Sequence, residues 1–475
     1  MKHFLLTGLL ITAVLIAGGC QPTPDQTYVV DKMSDEQLSV TMDPADNTVV
    51  SEFPKQWTEV ISEQHLTIDI DAQIEGLSGE TLPVIQFHPR VYSQAEVDSF
   101  VNYFAAGKKL YAYPAELSKA DYQELIAEAQ RGEEIDGQYV VTEDSLKYVA
   151  ELEALLAEAP DDESKTYIDS QLTLDISAQT GKEVSESGNN FLNAAIENGN
   201  ADDAVIVVRN YVDGYNNATL MAYQRGPNIL TETLMNSDNF EFSSESIKDK
   251  YTKMINGLDM AETEAKAVAE QAFSDLSIDD FTEVNAQKSI LTSFNNSNGI
   301  FSSRSAVAGW FFTYVRQISG VVAAYDVDAF LNSQTDTSTY SSPITVESVT
   351  IFVSEDGVGY LRYIGVLEKS ADVSDNVKIL AFDEMKDHIK QQLKYTYIYS
   401  QDGNADVRVE IDHLQLVYAY IRVKDSSSEL YAIPAWHISG TMGPVLNGEI
   451  VNGTNVDLLL SAIDGGNIDF GSYEN

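Results

Sequence analysis

Residues 310–322 read Trp310-Phe311-Phe312-Thr313-Tyr314-Val315-Arg316-Gln317-Ile318-Ser319-Gly320-Val321-Val322. An aromatic and β-branched run, the turn pair Ser319-Gly320 and a second apolar run predict a β-hairpin, because glycine takes the positive φ that a tight turn demands. Trp310, Phe311, Phe312 and Tyr314 alternate poorly with polar residues. Both faces of that strand are therefore expected to be covered, by core packing rather than by a ligand. Upstream, Asp259 and Glu262 open a helix whose apolar face is Ala261, Ala265, Val268, Ala269, Ala272, Phe273 and Leu276. Downstream, Val346, Val349, Ile351 and Val353 mark a strand ending in Glu355-Asp356-Gly357, and Tyr360 to Leu367 returns beside it. A similar order recurs. Met385, Ile389 and Leu393 stripe a helix beginning at Asp383. Strands follow over Val407–Val423 and Glu429–Ile438, and Val456, Leu458 and Leu460 run into Ala462-Ile463-Asp464-Gly465-Gly466. Residues 246–475 are thus expected to be a tandem of two helix-then-antiparallel-sheet units that folds without the rest and carries the partner-binding surface.

Residues 56–245 predict a separate α+β module. Leu66-Thr67-Ile68-Asp69-Ile70-Asp71-Ala72 alternates apolar and polar, as a half-buried strand does, and Leu172-Thr173-Leu174-Asp175-Ile176-Ser177-Ala178 repeats it. The two are either an internal duplication or neighbouring strands of one sheet that share a pattern. Ser93 with Glu96 makes a capping box ahead of Val97, Phe100, Val101 and Phe104. Ser118 with Asp121 starts a second helix through Tyr122, Leu125, Ile126 and Ala129. Leu146, Val149, Leu152 and Leu156 stripe a third, stopped by Pro160. Strands over Ala204–Val212 and Ala218–Arg225 flank Asp213-Gly214. Polar clusters near 236–246 mark the boundary. The fold class is α+β.

The N-terminus gives an address. Phe4 to Gly19 is apolar or small apart from Thr7 and Thr12, and it ends Ala17-Gly18-Gly19-Cys20. The run is shorter than the ~20 residues a spanning helix needs. It resembles a lipoprotein signal peptide over 1–19, with Cys20 as the lipidated residue. An ordinary cleaved signal is the rival, but such a signal needs no thiol at the cut. Lipid on Cys20 would hold the chain at the extracytoplasmic face of the cell membrane, since two acyl chains anchor where one binds marginally. Residues 20–55, with Pro22, Pro24, Pro44 and Pro54, read as a tether with a reach on the order of 100 Å if extended.

Composition narrows the classes further. The chain has 475 residues and a net charge of -45, with 44% hydrophobic and 10% aromatic residues, so folded domains are expected rather than a disordered stalk. Such acidity disfavours nucleic acid, whose phosphates demand Lys and Arg. It suits a solvated extracellular surface, calcium or a cationic partner. Cys20 is the sole cysteine, so a lipidated chain has no disulfide, no thiolate metal ligand and no thiol chemistry.

The two strand-to-Asp-Gly endings, the Asp259–Leu276 helix and the Arg316…Ser319-Gly320-Val321 hairpin resemble PepSY-type domains, small extracytoplasmic modules in which one helix packs on an antiparallel sheet. The Tyr431-Ala432-Ile433-Pro434-Ala435-Trp436 strand is similar to one in accessory regulators of a Gram-positive wall-stress sensor kinase. The whole chain is similar to Gram-positive lipoproteins of a family of unknown function. The resemblance implies protease inhibition or restraint of membrane signalling proteins, and it brings no catalytic residue.

Chemistry-bearing patterns are sparse. His3, His65, His88, His388, His413 and His437 are dispersed with no HExxH pair, so no metal and no cofactor is expected. His437 beside Trp436 is either a ligand contact or the end of a half-buried strand. Asp402-Gly403-Asn404-Ala405-Asp406 imitates a calcium loop, but Val407 stands where its glycine belongs and His413 where its glutamate belongs, leaving a polar turn. No GxSxG elbow, P-loop or dinucleotide fingerprint occurs. Three classes follow: a non-enzymatic lipoprotein binding another envelope protein, a binder of a small ligand, peptide or wall polymer, and a carboxylate hydrolase. The first is the reading taken forward, with no catalytic residue assigned.

Overall fold

The computed structural model describes residues 53–468 apart from 64, 77–80, 114–117, 132, 136–137, 142, 162–164, 175–189, 198–203, 215, 227, 232–234, 236–244, 298–299, 326–346, 399–405, 424–425 and 452. Cys20, the signal segment, residues 402–405 of the calcium-like loop and Asp175–Ala178 lie outside the described residues. The chain is α+β, about a quarter helix and half strand. Its helices are α1 (Gln94–Ala105), α2 (Lys119–Ala129), α3 (Glu143–Glu158), α4 (Glu245–Asn256), α5 (Glu262–Leu276) and α6 (Phe382–Ile398). The strands that build the two main sheets begin with β1 (Gln56–Glu63), β2 (Leu66–Glu75), β3 (Leu110–Ala112), β4 (Tyr167–Ile168), β5 (Asn190–Ile196), β6 (Ala204–Asn210), β7 (Leu220–Gln224) and β8 (Asn228–Thr231). They continue with β9 (Phe281–Ser297), β10 (Ile300–Ile318), β11 (Ser348–Ser354), β12 (Gly357–Ile364), β13 (Val407–Arg422), β14 (Leu430–Leu446), β15 (Thr454–Ser461) and β16 (Asn467–Ile468).

Two compact units share these elements, and they do not follow the expected boundary at 245/246. One is Met1–Val84 with Val373–Lys424 and Ile433–Phe470; the other is Ile85–Asp372 with Asp425–Ala432 and Gly471–Asn475. The reason is strand pairing across long sequence separations. In the first unit the sheet runs β1-β2-β13-β14-β15-β16, and β2 lies parallel to β13, Leu66 opposite Val407 and Ile70 opposite Ile411. The sequence places β2 in the N-terminal module, but its buried face (Leu66, Ile68, Ile70, Ala72) completes a sheet begun 341 residues later. A parallel neighbour buried against a helix reads locally like any half-buried strand.

α6 covers that sheet. Phe382, Met385, Ile389, Leu393 and Tyr397 repeat at helical spacing and are all buried, as the expected stripe requires. Phe382 meets Trp57 at 6.2 Å and Trp436 at 5.6 Å between ring centroids. Phe53, expected to lie in the tether at 20–55, packs edge-on to Trp436 at 5.0 Å. On the helix rim Lys394 reaches Glu63 at 2.7 Å and Lys390 reaches Glu59 at 3.4 Å. Gly440 on β14 is obligatory for closeness: a Cβ there would run into the Glu410 carbonyl of β13.

In the second unit the sheet order is β8-β9-β10-β11-β12-β7-β6-β5-β3-β4, antiparallel along this path. α1 and α5 lie over one face and share its core. Val97, Phe100 and Val101 of α1 join Ala265, Ala269, Ala272 and Phe273 of α5 above Phe312, Val349, Ile351 and Leu361. The alanines let α5 approach closely. Phe311, Phe352, Tyr360, Ile229 and Leu291 form a separate cluster. Successive residues of a strand point to opposite faces, so Phe311 and Phe312 bury on opposite sides, each contributing about 1.5–3 kcal/mol. The poor alternation of 310–314 has this cause. Trp310 is tied by its indole N–H to the Met260 carbonyl at 2.9 Å.

Several local expectations hold. The Ser93–Glu96 capping box is made in both directions. Ser319 (φ 48°) and Gly320 (φ 83°) form the expected turn, and Gly214, Gly357 and Gly465 take positive φ after their aspartates. Others change. The α5 N-cap is Ala261, with no side-chain cap, rather than Asp259. Leu146 is 59% exposed, while Val149 and Leu152 pack with Ile126 and Ala129 in a small core between α2 and α3. The Leu66–Ala72 strand lies in the first unit, and Thr173–Leu174 pairs β5 in the second, so they are not neighbours in one sheet. α4, which the sequence reading did not mark, begins at Glu245, at the end of the stretch expected to be a boundary.

Buried tyrosines make an alkaline limit. Burial pushes the Tyr92 and Tyr363 hydroxyls well above their ordinary value of 10, and Tyr397 up to about 12. These groups fold neutral. Their contribution is complete below the unfolded value and is lost as pH rises through the raised ones. The urea midpoint should hold between about pH 8 and pH 9, then fall steadily above about pH 10. A midpoint unchanged at about pH 12 would show that these hydroxyls ionise freely in the folded chain.

Candidate functional site

Two features of the second unit gather polar groups, and their surroundings separate structural from functional use. The first is closed. Glu347 is fully buried; its Oε1 accepts the Tyr363 hydroxyl at 2.8 Å and the Leu367 amide at 3.0 Å, and its Oε2 accepts the Arg316 Nε–H at 2.5 Å. The Arg316 guanidinium lies 5.6 Å from the Phe87 ring and 5.4 Å from that of Phe281. Tyr92 donates to the Tyr363 carbonyl at 2.9 Å, and Asn210 holds the Tyr92 backbone by two bonds of 2.8 and 2.9 Å. Both Glu347 oxygens are engaged, and the Tyr92 and Tyr363 hydroxyls are held neutral by burial. The geometry is that of a structural ion pair rather than a poised acid or base.

The second feature is open. α1 ends in two left-handed residues, Ala106 (φ 48°) and Gly107 (φ 81°), after which Lys108 and Lys109 lead into β3. Across from this corner the chain passes through β4 at the edge of the sheet and on to Asp169 and Ser170. Between them lies a groove of about 530 Å³. Its floor is apolar, from Val101, Ala105, Leu110 and Ile168; its rim carries Asn102, Lys108, Lys109, Asp169 and Ser170. A side chain at Gly107 would meet nothing within 4 Å.

The far wall is fixed from behind. Gln94 donates to the Ser170 carbonyl at 2.8 Å and accepts from the Leu172 amide at 3.0 Å, while the Ser170 hydroxyl donates to Asp98. The Ser170 and Gln94 hydrogen bonds hold the Asp98 carboxyl below its usual range. Tyr167 stands 51% exposed; its hydroxyl donates to Glu197 at 2.9 Å and the Lys109 ammonium sits 4.8 Å from its ring centre. Lys165 sits likewise 4.4 Å from the Tyr111 ring.

The backbone of the edge matters as much. Leu110 pairs with Ile168 and Tyr111 with Tyr167, and the Ala112 amide donates to the Thr166 carbonyl at 2.8 Å. Hydrogen-bonded and non-bonded pairs alternate in an antiparallel ladder, so the Tyr167 N–H and C=O point away from β3, to the side on which no strand among the described residues pairs with β4.

The residues singled out from sequence lie elsewhere. Trp436 is fully buried in an aromatic core, and His437 pairs with Asp457 at 2.5 Å. His65 pairs with Asp406 at 2.9 Å, His88 with Glu368 at 3.5 Å and His413 with Glu75 at 3.8 Å. Among the described residues no group of three or more His, Cys, Asp or Glu could hold a metal ion. No helix among them is long and apolar enough to cross a membrane. Sequence reasoning missed the groove; the one signal for it is Gly107-Lys108-Lys109, the sole Lys-Lys pair in a chain with 29 basic and 74 acidic residues.

No protein-family model matches the chain, and no curated protein matches it. The crystal structure of an uncharacterized protein from Eubacterium rectale ATCC 33656 is similar over 89% of this chain and 97% of that one, at 12% identity and a TM-score of 0.41. At that level the likeness informs neither fold detail nor function.

Proposed function

We propose that this protein is a non-enzymatic lipoprotein, held by lipid on Cys20 at the extracytoplasmic face of the cell membrane, that binds another envelope protein in a regulatory role. The observation that carries the reading is the contrast between the two polar features. The buried titratable cluster is closed and fully engaged, whereas the open one is an apolar-floored groove along a sheet edge, a form suited to binding. The successions α5 then β9–β12, and α6 then β13–β15, each place one helix before antiparallel strands. We read each as a PepSY-like arrangement, and their order in the chain supports that reading.

Two measurements test this. Cys20→Ala should abolish acyl labelling and leave the precursor uncut by the lipoprotein peptidase; normal processing with persistent label would remove Cys20 as the anchor. Crosslinking in intact cells should join the chain to a membrane or envelope protein. Recovery of the chain joined to nothing but itself would overturn the partner-binding reading.

A further inference from the structure

We propose that the edge of β1 is a dimer seam, pairing antiparallel with the same strand of a second copy of this chain about a two-fold axis at Val60. The backbone carries the first part of the argument. The Ile74 amide donates to the Lys55 carbonyl at 3.0 Å, and β1 keeps register with β2 from Gln56 opposite Gln73 to Glu63 opposite Leu66. Hydrogen-bonded and non-bonded pairs alternate along such a ladder. Trp57, Glu59, Ile61 and Glu63 therefore turn their N–H and C=O toward β2, while Gln56, Thr58, Val60 and Ser62 turn theirs outward. No strand among the described residues pairs on that side. At eight residues β1 is the longest end strand of the two sheet paths, since β8 has four and β4 and β16 have two each.

The side chains carry the second part. Sheet edges are commonly blunted by lysine, proline or a bulge, because a bare edge recruits other strands. The branch strand Leu367–Ser374 has that protection, with Glu368, Lys369 and Asp372 along it. β1 contains no lysine and no proline, and it meets β2 without a register shift. The four residues whose backbone turns outward have uncharged, exposed side chains, and Val60 is 61% exposed. Glu59 and Glu63 are engaged within the same chain, by Lys390 and Lys394.

Charge and shape then choose the register. With the axis on Val60, that residue meets its own counterpart, Thr58 meets the second copy's Ser62, and Glu59 meets the second copy's Ile61. The outward N–H and C=O groups of Thr58, Val60 and Ser62 all find partners in this register. Moving the axis to Glu59 would set that carboxylate against its own counterpart, and like charges directly opposite are destabilising. Moving it to Thr58 would leave Val60 against Gln56, whose amide is already tied to Asp71 at 2.5 Å. The Val60 register instead covers the exposed valine with its twin, as an isologous contact does. A ladder of this length buries less than the roughly 1,200 Å² of a stable complex, so the dimer is weak in free solution. Anchoring through Cys20, as proposed above, supplies the high effective concentration at which such a contact fills.

The test places single cysteines along β1 of the full chain in intact cells, oxidises them with copper phenanthroline and reads the dimer gained over the parent, whose sole cysteine is Cys20. Val60→Cys should give a disulfide-linked dimer. Thr58→Cys and Ser62→Cys should link poorly alone and well when co-expressed, because the register sets them opposite each other. Leu446→Cys, equally exposed at 61%, measures random encounter. In detergent micelles, sedimentation of the full chain should show self-association that Val60→Lys weakens by at least about tenfold, since two like charges then meet on the axis. Val60 is exposed, so circular dichroism of that variant should match the parent. The proposal falls if Val60→Cys links no better than Leu446→Cys, if Thr58→Cys alone links as well as Val60→Cys, or if Val60→Lys leaves the association unchanged. A photo-crosslinker at residue 60 that captures a different envelope protein and never a second copy would assign the edge to that partner and overturn the proposal, while leaving the partner-binding reading intact.

Discussion

Glu347→Ala should destabilise the second unit by about 3–5 kcal/mol, the loss expected when one partner of a buried ion pair is removed. The carboxylate holds three donors at once: the Arg316 guanidinium, the Tyr363 hydroxyl and the Leu367 amide. Truncation leaves the Arg316 cation between two aromatic rings without its buried carboxylate, with Asp280 at 3.8 Å beside it. Glu347→Gln should be milder, since an amide oxygen still accepts. The double variant Arg316→Met/Glu347→Leu should recover much of the loss, because replacing both partners removes the orphaned charge. Urea midpoints of the four proteins test the argument. A Glu347→Ala chain within about 1 kcal/mol of the parent would show that water reaches the pair and that it is not buried as described.

That network was illegible in the sequence for a plain reason. A glutamate among 74 acidic residues reads as surface, and Arg316 lies 31 residues away from it. What was legible was local. The Ser93–Glu96 capping box and the Ser319-Gly320 turn each rest on residues a few positions apart, and so do the stripes of α1, α5 and α6. Each of these was read correctly, except that Ala261, placed on the α5 face, is its exposed N-cap. What failed was long-range. Nothing in Leu66–Ala72 says that its parallel neighbour is Val407–Ile411, and of the two readings left open for the same alternation at Leu172, neighbouring strands of one sheet is not what forms. β9 escaped notice because Ile290 and Leu291 bury on opposite faces, which erases the period of two. α4 escaped because Tyr251 and Ile255 are few apolar residues among polar ones, just after the polar clusters read as a boundary. The groove combines both failures. Its walls come from the end of α1 and from residues 167–170, and neither segment looks like a site alone.

A chain beginning at Ser246 should fail to fold, contrary to the autonomy that the sequence suggests for 246–475. The cut removes β1 and β2 from the first unit, and with them Trp57, Ile68 and Ile70, all buried. It strips β13 of its parallel partner over Val407–Ile411, leaving an apolar edge. In the second unit the same cut removes α1 and every strand from β3 to β8. β12 then loses β7, which pairs with it from Leu220 opposite Ile364 to Gln224 opposite Tyr360. α5 also loses the Val97, Phe100 and Val101 surface that shares its core. Two long, unpaired, apolar edges are a template for association between chains. The expected result is an insoluble fragment, or a soluble aggregate in the void of a size-exclusion column with no cooperative urea transition. The control is the chain from residue 53 onward, which keeps both units and should be soluble and unfold cooperatively. A monomeric 246–475 fragment with a sharp transition would mean that the β2–β13 and β7–β12 pairings are dispensable. The division of the chain into two interleaved units would then have to be abandoned.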